Sequence, residues 1–265
     1  MKHSVSNDFF YQLIALLLAV IVVHAVYVTV IRPKANELLQ ERLERQAAGE
    51  VFEMDRSIYV VVRDFEQESC FILMLWAIAI VGLKTHTALS ERRLLNQSLM
   101  GIEEGTRVLP EDVRDYARPL QALPDAEREL LLPRVLLAAL QRFGTTRNVQ
   151  DVSSTVKEVC EAEADRLDAE LSMVRYIVWA IPSIGFIGTV RGIGQALGQA
   201  HRAVEGDIVG ITDSLGVAFN STFIALVISV LLMFLMYQLQ LLQERLVLDT
   251  QTYADANLLR HLAVR

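Results

Sequence analysis

The chain has 265 residues, of which 52% are hydrophobic and only 22% charged, with a net charge of −7. The acidic balance gives no basic footprint for nucleic acid, which excludes that class of partner. The apolar residues are gathered into long uncharged runs, so a membrane bundle with one soluble insertion is expected rather than one or two aqueous domains.

Residues 1–31 hold the first transmembrane helix, uncharged from Phe9 to Ile31 and long enough at about 1.5 Å per residue to cross the hydrocarbon. A cleavable signal peptide is the rival, since Lys2 precedes the run and Val23-His24-Ala25 resembles a cleavage site. The run continues to Ile31, longer than a signal core, which favours an anchor. After a polar segment, residues 32–68, comes a second transmembrane helix at 69–84. Glu66 and Glu68 precede it, and it ends in Lys84, whose stem can snorkel.

Residues 85–175 form a polar, helical insertion. Pro110, Pro119, Pro124 and Pro133 are expected to cut its first part into short pieces. In its second part Val152, Val156, Cys160, Ala164, Leu167, Leu171, Val174 and Val178 recur at threes and fours. That period predicts an amphipathic helix running straight into a third span at 176–200. A short loop, 201–213, leads to the fourth span, 214–243, which at about 45 Å exceeds a bilayer core and must tilt or emerge. Leu235, Leu239, Leu242 and Leu246 predict that it emerges, pairs with the amphipathic helix, and continues into a helical tail, 244–265. The fold class is therefore all-α, a polytopic bundle of four transmembrane helices with a helical insertion. Lys and Arg near the span ends come out even on the two sides, so their count leaves the orientation open.

The third span carries Pro182, Gly185, Thr189, Gly192 and Ala196 at helical spacing, with Gly188 beside them. Those residues stack along one face, and small faces serve close helix–helix approach inside a bilayer. The fourth span matches it with Ser214, Ala218, Thr222, Ala225 and Ser229. Two readings stand: tight packing with each hydroxyl bonded one turn back on its own helix, or a narrow path in which Thr189 and Thr222 offer hydroxyls to water or an ion. Threonine donates and accepts but stores no charge, so a carboxylate must then come from a partner.

The remaining candidates are weak. His24 is the one relay candidate inside the first span and more naturally bonds to a neighbouring helix than relays protons. Cys70 and Cys160 form no metal or redox spacing and read as buried thiols. No GxSxG, HExxH or Walker motif points to an enzyme. Gly192-Ile193-Gly194-Gln195-Ala196-Leu197-Gly198 imitates a dinucleotide loop but follows no strand and is rejected.

Pro182-x-x-Gly185-x-x-Gly188-Thr189-Val190-x-Gly192, followed by Ala218-Phe219-Asn220-Ser221-Thr222 and Ala225-Leu226, resembles the paired pore helices of the MotA/TolQ/ExbB proton channel family. The likeness covers about residues 175–245; the signature is closer to TolQ and ExbB, the four-span layout to MotA. Three positions depart from the pattern. Arg191 stands where relatives carry an apolar residue, about 22 Å along the span from Tyr176; it either snorkels or acts in gating or partner contact. Val217 occupies a site that can hold glutamate, with Asp213 one turn away as a possible substitute or partner contact, and Ala225 replaces a glycine.

The resemblance implies a homopentamer in the bacterial inner membrane. It surrounds a MotB/TolR/ExbD-like single-span partner with an intramembrane aspartate and carries protons, or sodium in some branches, with no bound cofactor. It also implies that Thr189 and Thr222 line the ion path, with Pro182, Gly185, Gly188, Gly192, Ala218 and Ala225 packing the pore helices. Residues 32–68 and 201–213 then face the periplasm, and the insertion and tail the cytoplasm. The rivals are a non-conducting four-span scaffold or sensor and, least supported, a membrane enzyme.

Overall fold

A computed structural model describes residues 2–47, 57–103, 105–201 and 208–264. Parts of the expected segments 32–68 and 201–213, namely residues 48–56 and 202–207, lie outside the described residues. The fold is all-α, as the apolar periodicity predicts, with no strand among the described residues and a single isolated bridge between Val108 and Leu262. Among the described residues four helical stretches are long and apolar enough to cross a membrane, and the chain divides into two compact units.

The first unit comprises residues 1–81 and 173–236. Helix α1 (Lys2–Val26) passes through a π-helical turn, Tyr27–Ile31, into α2 (Arg32–Ala47). A one-turn α3 (Ile58–Val61) precedes α4 (Phe65–Leu94), whose first half belongs here. The apolar surface of α1 is mostly exposed, Phe9, Ile14, Leu18, Ile21 and Val22 among it, as suits a helix facing lipid chains. Ala19 and Val23 of α1 are buried, as is Tyr27 in the π turn, whose ring lies 6.4 Å from that of Phe71 on α4. There the Trp76 indole donates to the Gln12 carbonyl at 2.9 Å, and Cys70 is buried with its thiol 3.8 Å from the Ile181 carbonyl. Pro182 does not break α9 (Ser172–Gly198). The last member begins α10 (Val209–Asn257), 49 residues, about 74 Å of helix.

The second unit comprises residues 82–172 and 237–265. Its core is built of large apolar side chains. Leu136, Leu140 and Phe143 of α7 (Leu131–Thr146) pack with Val152, Val156 and Cys160 of α8 (Val149–Glu170) and with Ala254 and Leu258. The expected pairing of two helices is thus a packing of three, with α7, the first of them in sequence, central to the core. Arg147, at φ 54°, ends α7 in the left-handed region, and the Asn148 side chain accepts the Gln150 N–H to start α8.

One expectation needs correction here. Pro119 lies inside α5 (Val113–Gln121) rather than ending it, because buried Ala117 and Leu120 hold that short helix together. Pro133 sits in the first turn of α7, where its missing N–H would have no helical partner anyway. Only Pro110 and Pro124 stand outside helices, Pro124 leading into the one-turn α6 (Asp125–Arg128). The amphipathic helix, α8, and α9 are separated by the single turn residue Leu171 and together make one of the membrane-length helical stretches, Val149–Gly198. The α8 stripe skips Ala164, which is exposed. Glu163 is buried instead, held by Arg134 at 3.0 Å and Arg166 at 3.4 Å.

Candidate functional site

The two small-residue stripes meet. A Cβ at Gly185 would stand 2.5 Å from the Ala225 Cβ, and one at Gly188 would stand 2.5 Å from the Ser221 Cβ. At Gly192 it would stand 2.7 Å from the Ser214 carbonyl oxygen and 2.8 Å from the Ala218 Cβ. Real side-chain atoms do not approach so closely, so only glycine lets α9 and α10 come this near.

Pro182 explains a further contact. Proline has no N–H for the carbonyl four residues back, which here is Val178. The Ser229 hydroxyl of α10 donates to that carbonyl at 3.1 Å and is itself buried. A hydroxyl from the neighbouring helix thus replaces the bond that the proline removes. The sequence held this signal, since a mid-span proline always frees one identifiable carbonyl.

Thr189 and Thr222 lie against each other across the helix pair, both half-buried. Thr189 Oγ1 is 3.0 Å from the Ala218 carbonyl and Thr222 Oγ1 is 3.1 Å from the Gly185 carbonyl. Each hydroxyl therefore has its best acceptor on the opposite helix, not one turn back on its own; Thr189 has the own-helix Gly185 carbonyl at a longer 3.4 Å. Each also has only one proton to give. While both donate to carbonyls, the contact between the two oxygens carries no proton. If one hydroxyl turns to donate to the other, a backbone carbonyl is released.

The charged candidates are all engaged. Arg191 is paired: its guanidinium is 2.9 Å from Glu66 Oε2 and 3.6 Å from Asp64 Oδ1. Asp213 lies 3.8 Å from Arg42, in the first turns of α10 and nine residues, about 14 Å, before Thr222. Val217 faces a cavity of about 500 Å³ shared with Arg42, Arg63 and Phe223. His24 bonds Glu68 at 2.7 Å, while Arg32 takes the other Glu68 oxygen at 2.5 Å.

The π turn makes that last triad possible. Eight residues at about 100° each leave His24 and Arg32 about 80° apart on a regular helix, and one inserted residue takes about 100° back. Sequence spacing alone could not reveal these acidic partners, because it does not say which helices are neighbours. Among the described residues no cluster of His, Cys, Asp and Glu is arranged to hold a metal.

Four apolar helices, two of them locked through glycines and cross-bonded threonines, define a multi-pass membrane protein. The comparison agrees with the resemblance: residues 127–252, which take in α7, α8, α9 and most of α10, match the model of the MotA/TolQ/ExbB proton channel family. No curated protein matches the chain.

Proposed function

We propose that this chain is the channel-forming subunit of an ion-driven motor in the bacterial inner membrane. Five copies would surround the single-span helices of a MotB/TolR/ExbD-like partner whose intramembrane aspartate carries the ion, a proton in preference to sodium. Ion flow would then be converted into mechanical work. One charge crossing 100 mV releases about 2.3 kcal/mol, enough to bias a rotational step. In this arrangement the insertion and the tail face the cytoplasm.

The single observation that carries the reading is the threonine pair. Its two hydroxyls have more acceptors within reach than protons to donate. They can change partners without moving the helices, which is what passing a proton past a carboxylate requires. The family match supplies the class, and the geometry supplies the residues.

A second reading draws on the same observation. Hydroxyls that satisfy backbone carbonyls are also good packing, and a non-conducting scaffold or sensor would keep them for that reason. Thr189→Val with Thr222→Val separates the two. The conducting reading expects proton flux, measured in cells or vesicles with the co-purified partner, to fall at least about tenfold, the equivalent of 1.4 kcal/mol in a barrier, while assembly survives. Unchanged flux, or a chain that repeatedly purifies without any single-span partner, would favour the scaffold.

A further inference from the structure

The helix pair holds no carboxylate of its own near the threonines, yet the first turn of α4 and the residue just before it bring two to it. Glu66 Cγ lies 3.2 Å from where a Gly188 Cβ would stand, and Gly188 precedes Thr189. Glu66 shares the Arg191 guanidinium with Asp64, and both carboxylates are largely buried, at 11% and 16% exposure. One guanidinium thus serves two acids. The only other cation within 4 Å of them among the described residues is Arg63, 3.9 Å from Asp64 and looser still.

Gln67 adds an independent sign that something is bound there. It is 1% exposed, and its amide donates to the Val61 carbonyl at 3.1 Å and to Ser221 Oγ at 3.3 Å. Ser221 Oγ is the atom that closes the space over Gly188 from the α10 side, 2.6 Å from the missing Cβ. Gln67 Oε1 has no partner. A buried acceptor left open costs about 1–3 kcal/mol, and a donor such as water removes that cost.

We propose that Asp64 and Glu66 form a proton-binding site belonging to this chain itself, at the outer end of the threonine pair. One acid stays ionised against Arg191 while the other holds a proton, and Gln67 Oε1 receives the water that delivers it. In loading, the O–H bond of a hydronium ion breaks and a new one forms on the carboxylate oxygen, leaving water. Two close carboxylates rarely ionise together, and burial followed by the Glu66 charge pushes the Asp64 carboxyl above its ordinary range, against the opposing pull of Arg63 and Arg191. From the π turn Tyr27 is within electrostatic reach of Asp64. His24, Arg32 and Glu68 form their own knot, and on α10 Asp213 pairs with Arg42. A bare metal cation fits poorly beside a fixed guanidinium, which makes the proton the occupant.

The site rests on the ion-path reading for its purpose, not for its existence, so it is tested on the full chain alone in lipid nanodiscs. Infrared difference spectra taken along a pH titration follow the carbonyl stretch of protonated carboxylic acids. A component that persists to higher pH than exposed carboxylates is expected in a Glu91→Gln background, which removes the other buried acid raised by its burial and serves as the reference chain. Asp64→Asn or Glu66→Gln should remove or displace it, and Glu68→Gln should leave it in place. Arg191→Gln, which strips the shared cation, should move it to still higher pH, with Arg191→Lys restoring it in part. The proposal fails if the component is absent, survives both acid substitutions, ignores Arg191→Gln, or is displaced by sodium at constant ionic strength. None of these outcomes alters the flux result for the threonine variants, so the two claims stand or fall separately.

Discussion

The two units solve the same problem, holding helices together, with opposite materials. In the unit of residues 82–172 and 237–265 the contacts are made by large side chains, Leu136, Leu140 and Phe143 against Val152 and Val156. In the unit of residues 1–81 and 173–236 they are made by the lack of side chains at Gly185, Gly188 and Gly192 and by polar bonds such as Ser229 to Val178. Water rewards burying a methyl group, whereas lipid is as apolar as the helix surface and rewards only close fit and satisfied polar groups. Removing atoms should therefore be the characteristic injury to the first kind of contact, and adding them to the second.

The largest expected effect is in the core of large side chains. Phe143→Ala should cost about 3–5 kcal/mol, since the aromatic ring is wholly buried there. Adding rather than removing atoms is the matching injury between α9 and α10. Gly192→Ala sets a methyl against the backbone of Ser214 and Ala218 and should cost about 1–3 kcal/mol. Gly194, two residues on, meets nothing within 4 Å, so Gly194→Ala should be neutral or stabilise by up to about 1 kcal/mol through backbone entropy. Thermal unfolding of the detergent-solubilised chain would rank all three. Equal effects at Gly192 and Gly194 would break the comparison.

A smaller effect sharpens it. Ser229→Ala leaves the Val178 carbonyl unpaired and should cost about 1–2 kcal/mol. With Pro182→Ala in place, the restored N–H takes over that carbonyl and the cost of Ser229→Ala should shrink. The coupling in this double-mutant cycle measures how far the hydroxyl stands in for the missing backbone bond. Additive losses would mean that Ser229 acts by packing alone.

Much of this was legible in the sequence, and for one reason. Helical period and the contrast of small with large residues are local properties, so the four spans, the facing stripes and the threonine pair could be read from spacing. The polar partners of α4 could not. Glu66 and Glu68 are two residues apart and point to different neighbours, one to Arg191 on α9 and the other to His24 and Arg32. Nothing in the spacing of a helix names the helix beside it. The same limit hid the role of α7: its apolar run looks like any amphipathic helix, while its burial against both α8 and the end of α10 depends on tertiary packing.

The smallest effect tests the comparison through charge. Glu91, near the end of α4, accepts the Leu131 N–H at 3.1 Å and so caps the start of α7 from another helix. Burial pushes its carboxyl above the ordinary glutamate value of 4.5, only partly countered by that backbone bond. A raised acid binds its proton more readily in the folded chain than in the unfolded one, so the folded state holds more protons between the ordinary and the raised value. Stability then falls as pH rises through that window, and the charged carboxylate remains a cost above it. Glu91→Gln carries no such titration. The stability difference between wild type and this variant should therefore move in favour of the wild type as pH is lowered toward 4.5 and flatten below it. A difference that moved the other way would mean that the capping bond, which favours the ionised form, outweighs burial at this site. The unit built on large side chains would then share with the membrane unit a reliance on polar bonds over apolar cover.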